Sequence, residues 1–189
     1  MLKKIERAQQ LLKKEAAVFR CPTCHEPMHV EGVGLICQQR HQFDLSKKGT
    51  LYFLNHGVQT EYNKKMFTSR GKMIQSGMYA PVLNKIMYYL PQNKTVVDVG
   101  CGEGSFLAEL SQAGLSGLKI GFDLSKVGIY LASNQPIDAF WCVADLTNLP
   151  FANEGLDTIL NIFSPSHYQE FRRVLKADGT VIKIIPEEN

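Results

Sequence analysis

The chain has 189 residues, a net charge of +3, 44% apolar and 21% charged residues, proportions ordinary for a soluble globular protein with room for one medium domain and a small appendage. No apolar run approaches the roughly 20 residues that span a bilayer, and the charged segment Met1 to Arg20 lacks the continuous apolar stretch of a signal peptide, so a cytoplasmic protein is expected. The charge is uneven: residues 1–95 carry 15 Lys and Arg against 6 Asp and Glu, and residues 96–189 carry 6 against 12. A basic front half points to a polyanionic partner, or, taken alone, to no more than a solvated surface.

Residues 2–19 read as an amphipathic helix, with Leu2, Ile5, Leu12, Ala16 and Phe19 near helical spacing and lysines opposite. Residues 20–55 turn loop-rich, with short β-type runs at 34–37 and 50–54. Residues 56–64 are polar and linker-like, and 65–90 read as helical with a break near Gly77 and Pro81. From residue 95 strands and helices alternate. Strands are expected at 95–100, 118–123, 139–144, 157–163 and 180–186, and helices near 105–114, 125–134 and 166–175. The strand runs are continuously apolar rather than alternating, the mark of buried parallel strands. The expected fold is therefore α/β, a doubly wound, mostly parallel sheet preceded by a small module.

Five cysteines are present. Cys21 and Cys24 stand two residues apart around Pro22-Thr23, Cys37 follows after a short hairpin, and His41 comes just behind it. Two thiolates on one knuckle, completed by a second pair from across a hairpin, suit a tetrahedral zinc ion. With all four positions filled by protein the ion is structural, and it stabilises a module too small to build much core. Buried, unrelated thiols are the bland alternative. His25 and His29 are substitute ligands of lower standing, and Cys101 and Cys142 read as small core residues. Arg40, Lys47 and Lys48 flank the last ligand, placed to meet phosphates.

Asp98, Gly100, Gly102 and Gly104 end the first long strand and open a helix. The G-x-G-x-G spacing is not the G-x-G-x-x-G of dinucleotide sites, and an acid just before the glycines suits a cationic amino-acid ligand better than a pyrophosphate. Asp123 ends the second strand, where a carboxylate can accept hydrogen bonds from ribose hydroxyls. Asp145 follows the third, in reach of an adenine amino group. Each aspartate alone reads blandly as a strand-end cap. As an ordered set along one carboxyl edge they argue for an adenosyl ligand with a methionine-like end.

Four stretches carry a resemblance: Cys21-Pro22-Thr23-Cys24 through Cys37-Gln38-Gln39-Arg40-His41-Gln42-Phe43-Asp44; Arg70 through Gly77-Met78-Tyr79-Ala80-Pro81; Asp98 to Gly104 with Phe122-Asp123-Leu124-Ser125-Lys126; and Ile162-Phe163-Ser164-Pro165 through Tyr168 to Leu175. On these the chain resembles the zinc-containing 23S ribosomal RNA guanine-N1-methyltransferases, most closely the Gram-positive branch linked to macrolide resistance. The resemblance implies a Rossmann-like class I methyltransferase with S-adenosyl-L-methionine as donor and a guanine in a 23S ribosomal RNA hairpin loop as acceptor. It implies zinc at Cys21, Cys24, Cys37 and His41, and cofactor contacts at Tyr79, Gly102 and Glu103. Position 78 is Met where other branches carry His, so only Tyr79 is carried over from that pair.

The organisation expected on this basis is an N-terminal helix (1–19), a zinc-binding module (20–55), a linker with helices (56–94) and an S-adenosylmethionine-binding domain (95–189) lacking the last strands of its family. Without those strands the 180–186 edge is expected to be covered by another chain or a neighbouring copy, and a homodimer would suit a folded RNA hairpin. Phe163 is placed to stack on an extruded base or to sit in the core, and Arg172 and Arg173 to meet phosphate or water. No residue stands out as the acceptor of the guanine N1 proton. Two other functions stay open: a zinc-dependent RNA-binding fragment without catalysis, which would bind RNA but no cofactor, and a small-molecule methyltransferase, against which the zinc module and the basic front half argue.

Overall fold

The continuous apolar runs of the second half become the inner strands of a parallel sheet, because only a strand covered on both faces can bury every side chain. A computed structural model describes residues 2–187. Among those residues the order is α1 (Lys4–Glu15), β1 (Met28–Glu31), β2 (Gly34–Cys37), β3 (Gln42–Asp44), β4 (Thr50–Tyr52), α2 (Lys64–Gln75), α3 (Ala80–Tyr89), β5 (Val96–Val99), α4 (Ser105–Gln112), β6 (Lys119–Asp123), α5 (Lys126–Ala132), β7 (Phe140–Val143), β8 (Leu156–Ile162), α6 (Tyr168–Val174) and β9 (Leu175–Ile184). The N-terminal helix is shorter than the expected 2–19. It stops at Glu15, and Ala16–Val18 tighten into a 3₁₀ turn that delivers Phe19 to the core.

β1, β2 and β3 form a small antiparallel sheet. The large sheet has the order β4-β7-β6-β5-β8-β9, with every pairing parallel. From β5 the chain winds outward through β6 and β7, then returns to the other side of β5 for β8 and β9. The strand order reverses at β5, and the crevice at its carboxyl end is where ligands of such sheets bind.

Two features differ from the sequence expectation. The run at 50–54, grouped by composition with the small module, leaves it: β4 pairs with β7 in the large sheet, Thr50 against Trp141 and Tyr52 against Val143. Its Leu51 and Phe53 are buried, so burial of these side chains decides the pairing. The last strand begins earlier than expected, at Leu175, and ends at Ile184. It forms the outer edge, where Val181, Ile182 and Ile184 are half-buried and Ile185 is exposed.

Successive residues of β5 face opposite sides. Val97 and Val99 join a core shared with Leu12, Phe19, Cys21, Met28, Leu35 and Phe171, whereas Val96 joins Ile86, Phe106, Leu107 and Ile129. The small sheet and α1 thus cover one face of the large sheet together with α6, and α3, α4 and α5 cover the other. Phe19 lies at the junction, with ring centroids 5.1 Å from Phe140, 5.7 Å from Phe53 and 6.0 Å from Phe151.

Candidate functional site

The metal cluster is assembled by the small sheet. Cys21 and Cys24 sit in the turn before β1, Cys37 ends β2, and His41 precedes β3. The Cys24 and Cys37 sulfurs are 3.5 Å apart, and His41 Nδ1 is 3.6 Å from Cys21 Sγ and 3.4 Å from Cys37 Sγ. All four ligand atoms lie within 4.8 Å of one another. Zinc–sulfur and zinc–nitrogen bonds of about 2.3 and 2.0 Å give a tetrahedron with edges of about 3.5–3.8 Å, so the donor set and spacing fit zinc. His25 and His29 stay outside this group and are exposed.

A cavity of about 450 Å³ opens at the carboxyl end of β5, β6 and β8. Of the eight residues expected to meet the cofactor, Gly100, Gly102, Asp123 and Asp145 line it. Asp123 is held rigidly: Oδ2 accepts a hydrogen bond from the Gly102 amide (2.9 Å) and Oδ1 from the Ser125 amide (2.8 Å). Burial raises its pKa, against the pull of those two amides. Asp145 Oδ1 accepts from the Thr147 amide and hydroxyl, both at 2.8 Å, so one oxygen caps the next turn while the residue faces the cavity.

Asp98, Glu103, Gly104 and Tyr79 stand around the cavity rather than in its wall. Asp98 is buried at the end of β5, with Oδ2 lacking any hydrogen-bond partner among the described residues. Burial pushes its pKa up to about 7. The Arg70 guanidinium pulls it down, and Glu103 and Asp123 push it further up. An unpartnered buried carboxyl is costly unless something pairs with it, and a cationic ligand end answers that need. Glu103 is buried and bonded to Arg70 at 2.8 Å. Gly104 starts α4 against Trp141, and a side chain there would meet the indole at 2.6 Å. Tyr79 packs on Phe106 (5.4 Å) and Phe163 (5.8 Å).

The opposite wall is the loop after β8. Asn161, fully buried, donates from Nδ2 to Ser164 Oγ (2.6 Å), Ser164 O (3.1 Å) and Pro165 O (3.0 Å). Ser164 Oγ in turn donates to Val99 O at 2.6 Å. This ties the loop to the end of β5, where a side chain at Gly100 would strike Ser164 Cβ at 2.8 Å. Phe163 takes a left-handed conformation (φ 52°), which turns its ring out of the core and into the cavity lining, 41% exposed.

Several lining residues carried no sequence signal of their own: Thr60 and Tyr62 from the linker, Met66 and Phe67 from α2, and Leu146; Arg70 of α2, which opens one of the resemblance stretches without a role assigned to it, lines the cavity as well. The polar 56–64 segment therefore borders the site instead of only joining two parts. Arg173 is tied to the protein's own acceptors. It bonds Glu170 (2.7 Å), Phe151 O (2.8 Å) and Leu149 O (2.9 Å), while Arg172 is exposed. Cys101 and Cys142 are buried in the core.

A reversing parallel sheet, a glycine turn after β5 and acids after β6 and β7 define an S-adenosylmethionine-dependent methyltransferase domain, here joined to a zinc ribbon. Residues 96–179 match the model of a methyltransferase domain, and residues 19–55 match the model described as RlmA, N-terminal, a zinc ribbon. The chain is 40% identical over 185 residues to YxjB of Bacillus subtilis, named by assignment as a 23S rRNA (guanine-N(1)-)-methyltransferase, covering 92% of this chain and 66% of that protein. It is 26% identical to the 23S rRNA (guanine(748)-N(1))-methyltransferase of Streptomyces fradiae, covering 94% of this chain and 66% of that one. A solved structure assigned as an S-adenosyl-L-methionine-dependent methyltransferase from Methanococcus maripaludis shares the fold, with a TM-score of 0.56 and 18% identity over 67% of this chain and 65% of that chain. The chain is thus similar to 23S rRNA guanine-N(1)-methyltransferases, and it joins a methyltransferase domain to an RlmA-type zinc ribbon. It spans 66% of the length of the two curated relatives.

Proposed function

We propose that the chain transfers a methyl group from S-adenosylmethionine to N1 of a guanine in a hairpin loop of 23S ribosomal RNA, acting in the cytoplasm. The observation that carries this reading is one cavity walled by the glycine turn on one side and by Phe163-Ser164-Pro165 on the other, on a chain that also holds a zinc ribbon. The names of the relatives supply the substrate class.

When bound, the cofactor supplies a methyl group already activated on a sulfonium, so the protein has to align and dry the reaction rather than create a nucleophile. Gly100 and Gly102 let the backbone approach the ligand. Asp123 and Asp145, which line the cavity, would hold its ribose and adenine, with Asp98, Glu103, Gly104 and Tyr79 supporting this wall from behind. Phe163, held outward by the Asn161 and Ser164 hydrogen bonds, offers a ring on which an extruded base can stack. Cys21, Cys24, Cys37 and His41 would hold zinc and keep the turn bearing Arg40, and the loop bearing Lys47 and Lys48, in shape for RNA phosphates. A second copy in a homodimer would present the same basic surface to one hairpin.

The test is methyl transfer to a 23S transcript, read as reverse-transcriptase stops, since a methyl group on guanine N1 blocks base pairing. A single cofactor-dependent stop at one guanine is expected. Cofactor binding with no stop would overturn the activity for this chain.

A further inference from the structure

α2 delivers one side chain to the glycine turn that the sequence motifs leave without a role. Arg70 Nη1 donates to Glu103 Oε2 at 2.8 Å and to Cys101 O at 3.4 Å, and its guanidinium lies 5.3 Å from the centre of the Phe106 ring. Its backbone lies close against the turn: at the next residue, Gly71, a Cβ would stand 3.1 Å from Ser105 Oγ and 3.3 Å from Glu103 Cγ. The turn yields to the guanidinium in the same way: a Cβ at Gly102, itself at φ +55°, would meet Arg70 Nη1 at 2.3 Å. Arg70 lines the cavity, and among the described residues the only other charged ones that do so are Asp123 and Asp145.

An adenosyl-amino-acid ligand brings two opposite charges to its amino-acid end. The ammonium is well served by this part of the site, where Asp98, Glu103 and Asp123 are close enough to act on one another. The carboxylate is not, since those acids repel it. It needs a cation inside the wall, and Arg70 is the cation that lines it. Glu103 fixes Nη1, while Nε and Nη2 have no protein partner among the described residues. A planar guanidinium anchored at one corner keeps donors for a second carboxylate, which a single ammonium point charge does less well.

We propose that Arg70 grips the α-carboxylate of the cofactor, with Glu103 as the positioning residue that aims it, and so makes the site select adenosyl ligands that keep their amino-acid end. The inference rests on the S-adenosylmethionine reading of the cavity. If Arg70 serves only as a structural partner of Glu103, its loss weakens all adenosyl ligands alike.

Calorimetric titration of the 189-residue chain with S-adenosylmethionine and with decarboxylated S-adenosylmethionine decides between these. The unsubstituted chain should prefer the intact cofactor by about tenfold or more, the scale of a charge-assisted hydrogen bond. Arg70→Met should bring that ratio to within about twofold by weakening the intact cofactor alone, and Arg70→Lys should restore part of it. Equal binding of the two ligands by the unsubstituted chain, or a parallel loss of both in Arg70→Met, overturns the proposal. Should Arg70→Met fail to fold, Arg70→Lys decides: a ratio reduced through weaker binding of the intact cofactor alone supports the proposal, and an unchanged ratio overturns it. Binding of neither ligand overturns the cofactor reading and this inference together, whereas equal binding overturns this inference alone.

Discussion

Phe19→Ala tests whether the zinc ribbon and the methyltransferase sheet are one folding unit. Phe19 is 1% exposed, and its ring packs on Phe53 beyond β4, Phe140 of β7 and Phe151 before β8. Removing a fully buried phenylalanine costs about 3–5 kcal/mol, from lost transfer energy and from the cavity left behind. With a urea m-value of about 2 kcal/mol/M, the unfolding midpoint should fall by about 1.5–2.5 M. The chain has a single tryptophan, Trp141, buried in β7 of the large sheet, so its fluorescence reports that sheet. Zinc release, followed with a chromogenic chelator, reports the ribbon. Both midpoints should move together by the same amount. A variant that releases zinc earlier while the Trp141 transition stays in place would refute the shared core.

Cys37→Ser should abolish stoichiometric zinc and lower the melting temperature. Metal analysis and a thermal scan check this, and an unchanged scan would show that the metal contributes little to folding. Asn161→Leu strands the polar groups of the Ser164-Pro165 loop and should cost about 1–3 kcal/mol, with methyl transfer falling more than cofactor affinity. Equal losses in both would mean that the loop serves the cofactor rather than the base. The raised pKa of Asp98, about 7, sets a pH dependence with a definite sign. In the free chain its contribution to stability is full below the usual carboxylate range and is lost as pH rises through about 7. A cationic ligand favours the ionised form, so binding below pH 7 should release a proton and tighten as pH rises to about 8. Calorimetry in two buffers of different ionisation heat reads that proton, and pH-independent affinity with no proton released would remove Asp98 from the account.

The inner strands could be read from the chain because each is an unbroken apolar run, and the metal cluster because its ligands come from adjacent turns of a short hairpin. Two parts were not legible. β4 is three residues long, and nothing local tells its Thr-Leu-Tyr from the strands of the small module. Its place is set by Trp141, Cys142 and Val143, far along the chain. Arg70 opens one of the stretches that carry the family resemblance, yet the sequence assigns it no role, and only the close approach of α2 to the glycine turn gives it one. A weak signal existed in Gly71, a helix-disfavouring residue inside α2 that marks a backbone packed tightly on something else. Phe163 could not be settled from sequence, since stacking surface and core filler differ by one left-handed residue.

The pairing of β4 with β7 also bears on the order of events during synthesis. The zinc ligands are all available once His41 has emerged, so the ribbon can close early, yet Thr50 must wait for Trp141. Until then Leu51 and Phe53 have no sheet to enter. The growing chain thus carries an unpaired apolar strand through the making of β5 and β6, the interval in which a nascent polypeptide is most open to wrong associations. The polar 56–64 segment and the charged turns beside it would keep that interval soluble.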